Sequence, residues 1–139
     1  MRFAPTARDG VVAGSLAGVL SGAPSTAHAL ASRADPLEAT IAAGSLLLPT
    51  EKRRARLLLA ALPVHVAISL AWGVALALLL PRRRTVALGA LAGVAIAALD
   101  LGLVGRLFPR IRALPIGPQV ADHVVFGTVV GAVLTRRWG

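Results

Sequence analysis

The chain has 139 residues and no cysteine, 56% of its residues are hydrophobic, 15% are charged, and its formal net charge is +9. A mean hydropathy of +0.75 exceeds what a small soluble domain can bury, so the composition indicates one membrane domain over residues 1–139. The basic residues form short bursts between apolar runs, which excludes a nucleic-acid-binding domain and indicates anchors for anionic lipid headgroups, and the missing cysteines exclude disulfides and thiolate metal sites.

Four stretches with few or no charges are long enough to be candidate membrane spans. They cover residues 10–32, 57–80, 86–105 and 118–135. The second stretch has no Asp, Glu, Lys or Arg. At about 1.5 Å per residue it reaches about 36 Å, enough to cross a hydrocarbon core of about 30 Å. The sequence therefore predicts an all-α fold, an integral membrane four-helix bundle.

The first candidate span also has the features of a secretory signal peptide. Arg2 and Arg8 precede its apolar run, and residues 27–29 form a small-x-small triplet typical of a cleavage site. We nevertheless expect the span to be retained, because it takes part in an internal repeat.

The repeat relates the first half of the chain to the second. VVAGSLAGV at residues 11–19 matches VALGALAGV at residues 86–94 in six of nine positions. A second similarity relates residues 65–73 to residues 123–131, and both segments begin with His-Val. The sequence therefore predicts two αα-hairpin repeats, an arrangement found both in transporters and in simple bundles.

Two elements outside the spans are expected at the membrane surface. Over residues 35–48, Asp35 suits an N-cap, Pro36 suits the first helical position and Glu38 completes a capping pattern, so a short interfacial helix is predicted. This helix is too short to cross a bilayer. The proline-containing segment 106–119 is predicted to be extended along the interface.

The positive-inside rule does not decide the orientation. The side with the termini and the turn at residues 82–84 carries nearly the same number of Lys and Arg residues as the other side. Because a short turn with three arginines is hard to translocate, we favour termini inside.

Small residues recur every four positions in each span and so share one helix face. The stripes are Gly14, Gly18 and Gly22; Ser69 and Gly73; Gly89, Gly93 and Ala97; Gly127 and Gly131. Stripes of this kind let helix backbones approach closely in lipid, so they predict tight packing in preference to a pore lining.

The ionisable residues within the spans form the candidate functional cluster. Four alternating crossings place them in the same half of the membrane, on the side of the first and third loops, and three of them continue the small-residue faces. The cluster comprises His65, Asp100, Asp122, His123 and, near the end of the first span, His28.

Three interpretations of this cluster stay open. A charge at bilayer depth costs about 3 kcal/mol, so Asp100 should be neutral or paired, with His65 and His123 as natural partners and Arg106 also within reach. Interhelical hydrogen bonds that fix the packing are the first interpretation, a proton or solute path is the second, and a divalent metal site is the third. No compact metal-ligand motif is present in the sequence.

The sequence shows no catalytic motif, because it has no Gly-x-Ser-x-Gly turn and no phosphate-binding loop. We expect no enzyme, no cofactor and no catalytic residue. The leading hypothesis is a non-enzymatic membrane component that acts structurally, as a homo-oligomer or with a membrane partner. The rival is a small transporter or proton or metal permease. A cavity that reaches Asp100 would favour transport, whereas a dry cluster closed by direct Asp–His bonds would favour structure.

Several segments resemble those of small uncharacterised multi-pass membrane proteins from GC-rich bacteria. They are SGAPSTAHAL at 21–30, DPLEAT at 35–40, HVAISLAWG at 65–73, DLGLVGRLFPRIRALP at 100–115 and PQVADHVVFGTVVGAVL at 118–134. This resemblance implies a multi-pass protein of the bacterial inner membrane. More distantly, the order of Gly-rich, His-bearing, Gly-rich and acidic-His spans is similar to the YagU-like inner-membrane proteins, a family linked to acid tolerance. That similarity makes His65, Asp122 and His123 the matching positions.

Overall fold

The computed structural model describes residues 6–139, and Arg2 of the signal-like segment lies outside them. This part of the chain is helical and contains no strand. The helices are α1 (Ala7–Leu20), α2 (Ala23–Ala31), α3 (Glu38–Gly44), α4 (Arg54–Leu79), α5 (Thr85–Leu99), a π-helical segment (Asp100–Val104), α6 (Gly105–Leu107), α7 (Pro109–Arg112) and α8 (Ile116–Trp138). The predicted all-α class is confirmed.

Three helices are long and apolar enough to cross a membrane. They are Arg54–Leu79, the continuous run Thr85–Leu107 and Ile116–Trp138. The predicted second, third and fourth spans correspond to them, each with slightly different ends. In the middle run, five residues from Asp100 to Val104 are wound as a π-helix. Single π turns within α-helices are rare and often mark functional positions.

The first candidate span, residues 10–32, is not one continuous helix. It is interrupted at Ser21 and Gly22, which separate the 14-residue α1 from the 9-residue α2. Pro24 lies in the first turn of α2, where a missing backbone N–H is tolerated. In the interior of one continuous helix the same proline would remove a backbone hydrogen bond. The first candidate span is therefore divided between two helices, α1 and α2.

The two interfacial elements also differ from expectation. The short helix covers only Glu38–Gly44, because the Asp35 carboxylate accepts a hydrogen bond from the Leu37 N–H at 2.9 Å and so closes a turn ahead of the helix. Segment 106–119 is mostly helical, and the expectation of an extended chain is wrong. Its prolines stand at helix starts, with Pro109 in the first turn of α7 and Pro115 at the N-cap of α8, so they initiate helices.

The small-residue stripes pack helix against helix. Helix α1 packs on α4 and α8, and α8 packs on α5. A Cβ atom added at Gly14 would collide with the backbone of Ser69, and one added at Gly89 would collide with the backbone of Gly127. Gly22 is the exception, since nothing lies within 4 Å of such an atom. The stripes therefore hold the α1–α4 and α5–α8 pairs at close backbone contact.

The buried core lies toward the end of the molecule that carries the chain termini. It joins side chains of α1, α4, α5 and α8, namely Ala13, Ala17, Leu76, Ala77, Ile96, Phe126, Val130 and Leu134. At this end the Asp9 carboxylate accepts a hydrogen bond from Arg137 Nε at 2.6 Å, and the Arg82 guanidinium lies 5.9 Å from the Trp138 ring centre. These contacts tie both ends of the described chain to the α4–α5 turn.

Two arginines at chain turns have left-handed backbone conformations. Arg33, after α2, has a φ of 55°, and Arg84, directly before α5, has a φ of 58°. In this region a side chain is sterically disfavoured and glycine is the usual residue.

Candidate functional site

A cavity of about 650 Å³ opens at the end of the molecule opposite the termini. Its walls come from α1, α2, α3, α4, α5, the π-helical segment, α7 and α8. Four of the five residues predicted as a polar cluster line it, namely His65, Asp100, Asp122 and His123. The structure thus brings these four residues together around one cavity.

Asp100 and His123 form a direct pair in the cavity wall. Oδ2 of Asp100 lies 3.2 Å from Nε2 of His123, and the two side chains are 30% and 21% exposed. The other ring nitrogen, Nδ1, lies 2.7 Å from the carbonyl oxygen of Gln119, one turn earlier in α8. A carbonyl oxygen only accepts hydrogen bonds, so Nδ1 carries a hydrogen.

The geometry of the pair is therefore suited to hold one proton. With Nδ1–H donating to Gln119, a hydrogen bond between Nε2 and the carboxylate requires a proton either on Nε2, as an imidazolium with ionised Asp100, or on the carboxyl group of Asp100. Both forms give the pair a net charge of zero, which suits side chains of two candidate membrane spans. The pair is a proton-holding site that borders a cavity.

Asp122 interacts with the broken first span. Its Oδ1 accepts a hydrogen bond from the backbone N–H of Ser25 at 2.9 Å. This N–H belongs to the first turn of α2, where the helix itself supplies no acceptor. A carboxylate from α8 thus takes the place of the N-cap side chain that Gly22 lacks, and its charge is favourable at the positive end of the helix dipole.

His65 interacts with the other side of the same break. Its Nε2 lies 2.7 Å from the carbonyl oxygen of Gly18 near the end of α1, so this nitrogen carries the hydrogen and donates it. Because α1 ends at Leu20, its last carbonyls have no complete set of helical partners. His65 and Asp122 therefore stabilise the two helix ends that the interruption creates.

No known protein family, no curated protein and no solved structure matches this chain. The arrangement of the site is accordingly interpreted from its own chemistry. A broken helix whose two ends are bonded to side chains of other helices at a cavity, beside an Asp–His pair that can share a proton, is an arrangement suited to holding protons and solutes within a membrane.

Two predicted partnerships are not present. His65 does not pair with Asp100, because its ring is bonded to Gly18, and Arg106 lies exposed after the π-helical segment. His28 is exposed and lines a separate cavity of about 210 Å³ between α2, α3 and the segment before α8. Within residues 6–139, no three His, Asp or Glu side chains lie close enough together to hold a metal ion.

The sequence analysis missed the backbone groups of the site. The Gly18 carbonyl and the Ser25 N–H become available only because the first span is interrupted. The signal for that interruption is the run Gly22-Ala-Pro-Ser, in which a glycine and a proline stand two residues apart inside an apolar stretch. Reading this run as a helix stop and restart would have predicted both free helix ends.

A separate ion pair stands at the outer edge of this end of the molecule. Asp35, in the turn before α3, pairs with the Arg54 guanidinium at the start of α4. This contact, together with the hydrogen bond from Leu37, lowers the pKa of Asp35 to about 2. Asp35 therefore stays ionised and lies outside the spans.

Proposed function

We propose that this chain is a multi-pass protein of the bacterial inner membrane that conducts protons, alone or coupled to a small solute, through the cavity at Asp100. The observation that carries the proposal is the proton-holding pair of Asp100 and His123 in the wall of a 650 Å³ cavity. A direct Asp–His bond alone favours a structural role. Its partial exposure to a large cavity gives the proton a route to and from the pair.

The proposal includes four membrane crossings, with α1 and α2 together forming the first. It also includes two hairpin repeats, α1 with α4 and α5 with α8. Equivalent glycines make equivalent contacts in the two pairs, since Gly14 approaches Ser69 and Gly73 while Gly89 approaches Gly127 and Gly131. Transporters are often built from such repeats around a broken helix. A relation to the YagU-like proteins belongs to this proposal and rests on the sequence pattern alone.

The test is proton flux into lipid vesicles that contain the purified protein. With a potassium diffusion potential as driving force and a pH-sensitive dye inside, we expect flux above that of protein-free vesicles. Asp100→Asn should abolish the flux, because the amide cannot share the proton with His123. Asp35→Asn is the matched control, since it removes an exposed carboxylate outside the spans, and it should retain the flux.

A second function is supported by a different observation. Three hydrogen bonds within the cavity region each join different helices, from Asp100 to His123, from Ser25 to Asp122 and from His65 to Gly18. They would suit a structural or partner-binding membrane component. If the wild type conducts no protons and Asp100→Asn only lowers the melting temperature, this second function replaces the first.

A further inference from the structure

We infer that the cavity binds an organic cation with an apolar body, in exchange for the proton held by Asp100 and His123. The inference rests on the proposed function and names the class of solute. Three features of the cavity carry it, namely the sign of its charges, its aromatic and aliphatic walls, and the side on which it is open.

The charges of the cavity are opposite in sign to those of the chain. The chain has 15 Lys and Arg residues against six Asp and Glu, yet the described residues that line the cavity include Asp100 and Asp122 and no Lys or Arg. Asp122 is already bonded to the Ser25 N–H, which leaves Asp100 as the carboxylate that can change its partner. In a medium of low dielectric constant a carboxylate attracts a cation strongly, and an anion would find no fixed positive counter-charge.

The walls of the cavity favour an organic cation over a metal ion. Trp72 and Phe126 line it together with aliphatic side chains such as Ile96. Aromatic faces attract organic cations, and a volume of about 650 Å³ is that of a small-molecule site. A hydrated metal ion would instead require several oxygen or nitrogen ligands, and the described residues offer no group of three.

The rim of the cavity indicates access from the bilayer. Val19, Leu62 and Ile68 line it and are 83%, 67% and 40% exposed. They belong to the apolar surface that a membrane covers. A cation with an apolar body partitions into this region of a bilayer, whereas a small inorganic ion does not.

The exchange balances in charge and protons. Before binding, the pair holds one proton and is neutral. The cation takes the place of the imidazolium as the counter-ion of the Asp100 carboxylate, and the proton leaves from Nε2 of His123 to water. His123 becomes neutral and keeps its Nδ1–H donated to Gln119, so one positive charge enters for each proton released.

The titratable groups around the pair are few. His65 faces the cavity from α4, and Asp122 neighbours His123 on α8. From the membrane-surface side, Glu38 of α3 is paired with Arg110 at 3.5 Å, and His28 of α2 lines the smaller cavity. The pH dependence of cation binding should therefore follow the protonation of the Asp100–His123 pair and not that of His65.

The test is calorimetric titration of the wild type in lipid nanodiscs with tetraphenylphosphonium. Tetraphenylborate, of the same shape and opposite charge, is the matched probe, and protein-free nanodiscs give the lipid background. We expect saturable binding of the cation only. Titrations in two buffers of different ionisation enthalpy should show release of about one proton per cation, with affinity rising up to about tenfold per pH unit while the pair is protonated.

Variants separate this inference from simple loss of folding. Asp100→Asn should remove binding, and Asp35→Asn, outside the cavity, should retain it together with proton release. In His123→Asn the proton is held by the Asp100 carboxyl group alone, so the pH dependence of cation binding should shift, whereas a merely structural role of His123 would leave that pH dependence unchanged. Equal binding of both probes, or unchanged binding by Asp100→Asn, overturns the inference. If the protein conducts protons in a way that requires Asp100 but binds no cation, only the inferred class of solute is overturned. If it neither conducts protons nor binds the cation, the proposed function is overturned as well.

Discussion

At the scale of single residues, the hydrogen positions on His123 follow from its neighbours. Nδ1 faces a carbonyl oxygen and Nε2 faces a carboxylate, so the ring cannot be the tautomer that leaves Nδ1 bare. We expect the 15N spectrum of histidine-labelled protein in lipid to show a protonated Nδ1 on His123. Asp100→Asn should leave Nδ1 protonated and change only the Nε2 signal. A deprotonated Nδ1 in the wild type would contradict this assignment.

A second prediction at the residue scale concerns close packing by glycine. An alanine at Gly89 would bring its Cβ into the backbone of Gly127, whereas the same change at Gly102, in the π-helical segment, meets nothing within 4 Å. Gly89→Ala should lower the free energy of unfolding by about 1–3 kcal/mol, the usual cost of overpacking. Gly102→Ala is the control within the same apolar run and should be neutral or slightly stabilising. Thermal unfolding in mild detergent measures both.

Among individual residues, the sequence predicts which ones gather but not with whom they bond. Asp100 with His123 was an expected pair, because both continue small-residue faces at the same depth. The prediction that His65 pairs with Asp100 was wrong, since the His65 ring bonds to the backbone carbonyl of Gly18. A backbone carbonyl or N–H becomes available for such a bond only near a helix end, and the periodicity of the side chains does not locate helix ends.

At the scale of elements, α2 depends on a carboxylate from another helix. Asp122 caps the Ser25 N–H, and Gly22 at the N-cap position provides no side chain for that purpose. Asp122→Ala should destabilise the start of α2 by about 1 kcal/mol, as for loss of an N-cap, while Asp122→Asn keeps an acceptor oxygen and should cost less. Hydrogen exchange at the Ser25 amide reports the effect directly. Equal exchange in wild type and Asp122→Ala would contradict the cap.

The contact between α1 and α8 is predicted to be acid-sensitive. The bond to Arg137, together with those to Thr6 and Trp138, lowers the pKa of Asp9 from its ordinary value of 3.8 to about 2. Because the folded state holds the carboxylate ionised, the stabilisation is complete above about pH 3.8 and is lost as the pH falls toward 2. Asp9→Asn should lower the melting temperature at pH 7 and flatten its decline between pH 4 and 2. A parallel decline in both proteins would contradict this.

Element boundaries were the weakest part of the sequence-based picture. Hydropathy located α4, the run beginning at α5, and α8, since each contains a long and mostly apolar stretch. It could not find the interruption at Ser21 and Gly22, because the residues on both sides are equally apolar. The helices within residues 106–119 were missed because proline has two opposite effects. It breaks a helix in its interior but favours one at its start, and the prolines at 109 and 115 lie at helix starts.

At the scale of the whole molecule, packing is closed at one end and open at the other. The absence of native cysteine makes this testable with single-cysteine variants. Thr26→Cys lies on the exposed cavity wall and should react with a charged, water-soluble maleimide in vesicles, whereas Ala77→Cys lies in the closed core and should not. Labelling of intact cells would then show which side of the membrane the cavity faces. Equal labelling at both positions would contradict the closed end.

The left-handed arginines have a consequence for how the chain enters the membrane. Glycine at position 33 or 84 would relieve about 1–2 kcal/mol of steric cost, so Arg84→Gly should raise the stability of the assembled protein. The same change removes one of the three positive charges in the turn that resists translocation. Arg84 thus lowers the stability of the folded protein but favours its insertion in the correct orientation. Arg84→Gly should therefore increase the fraction of chains inserted in the opposite orientation.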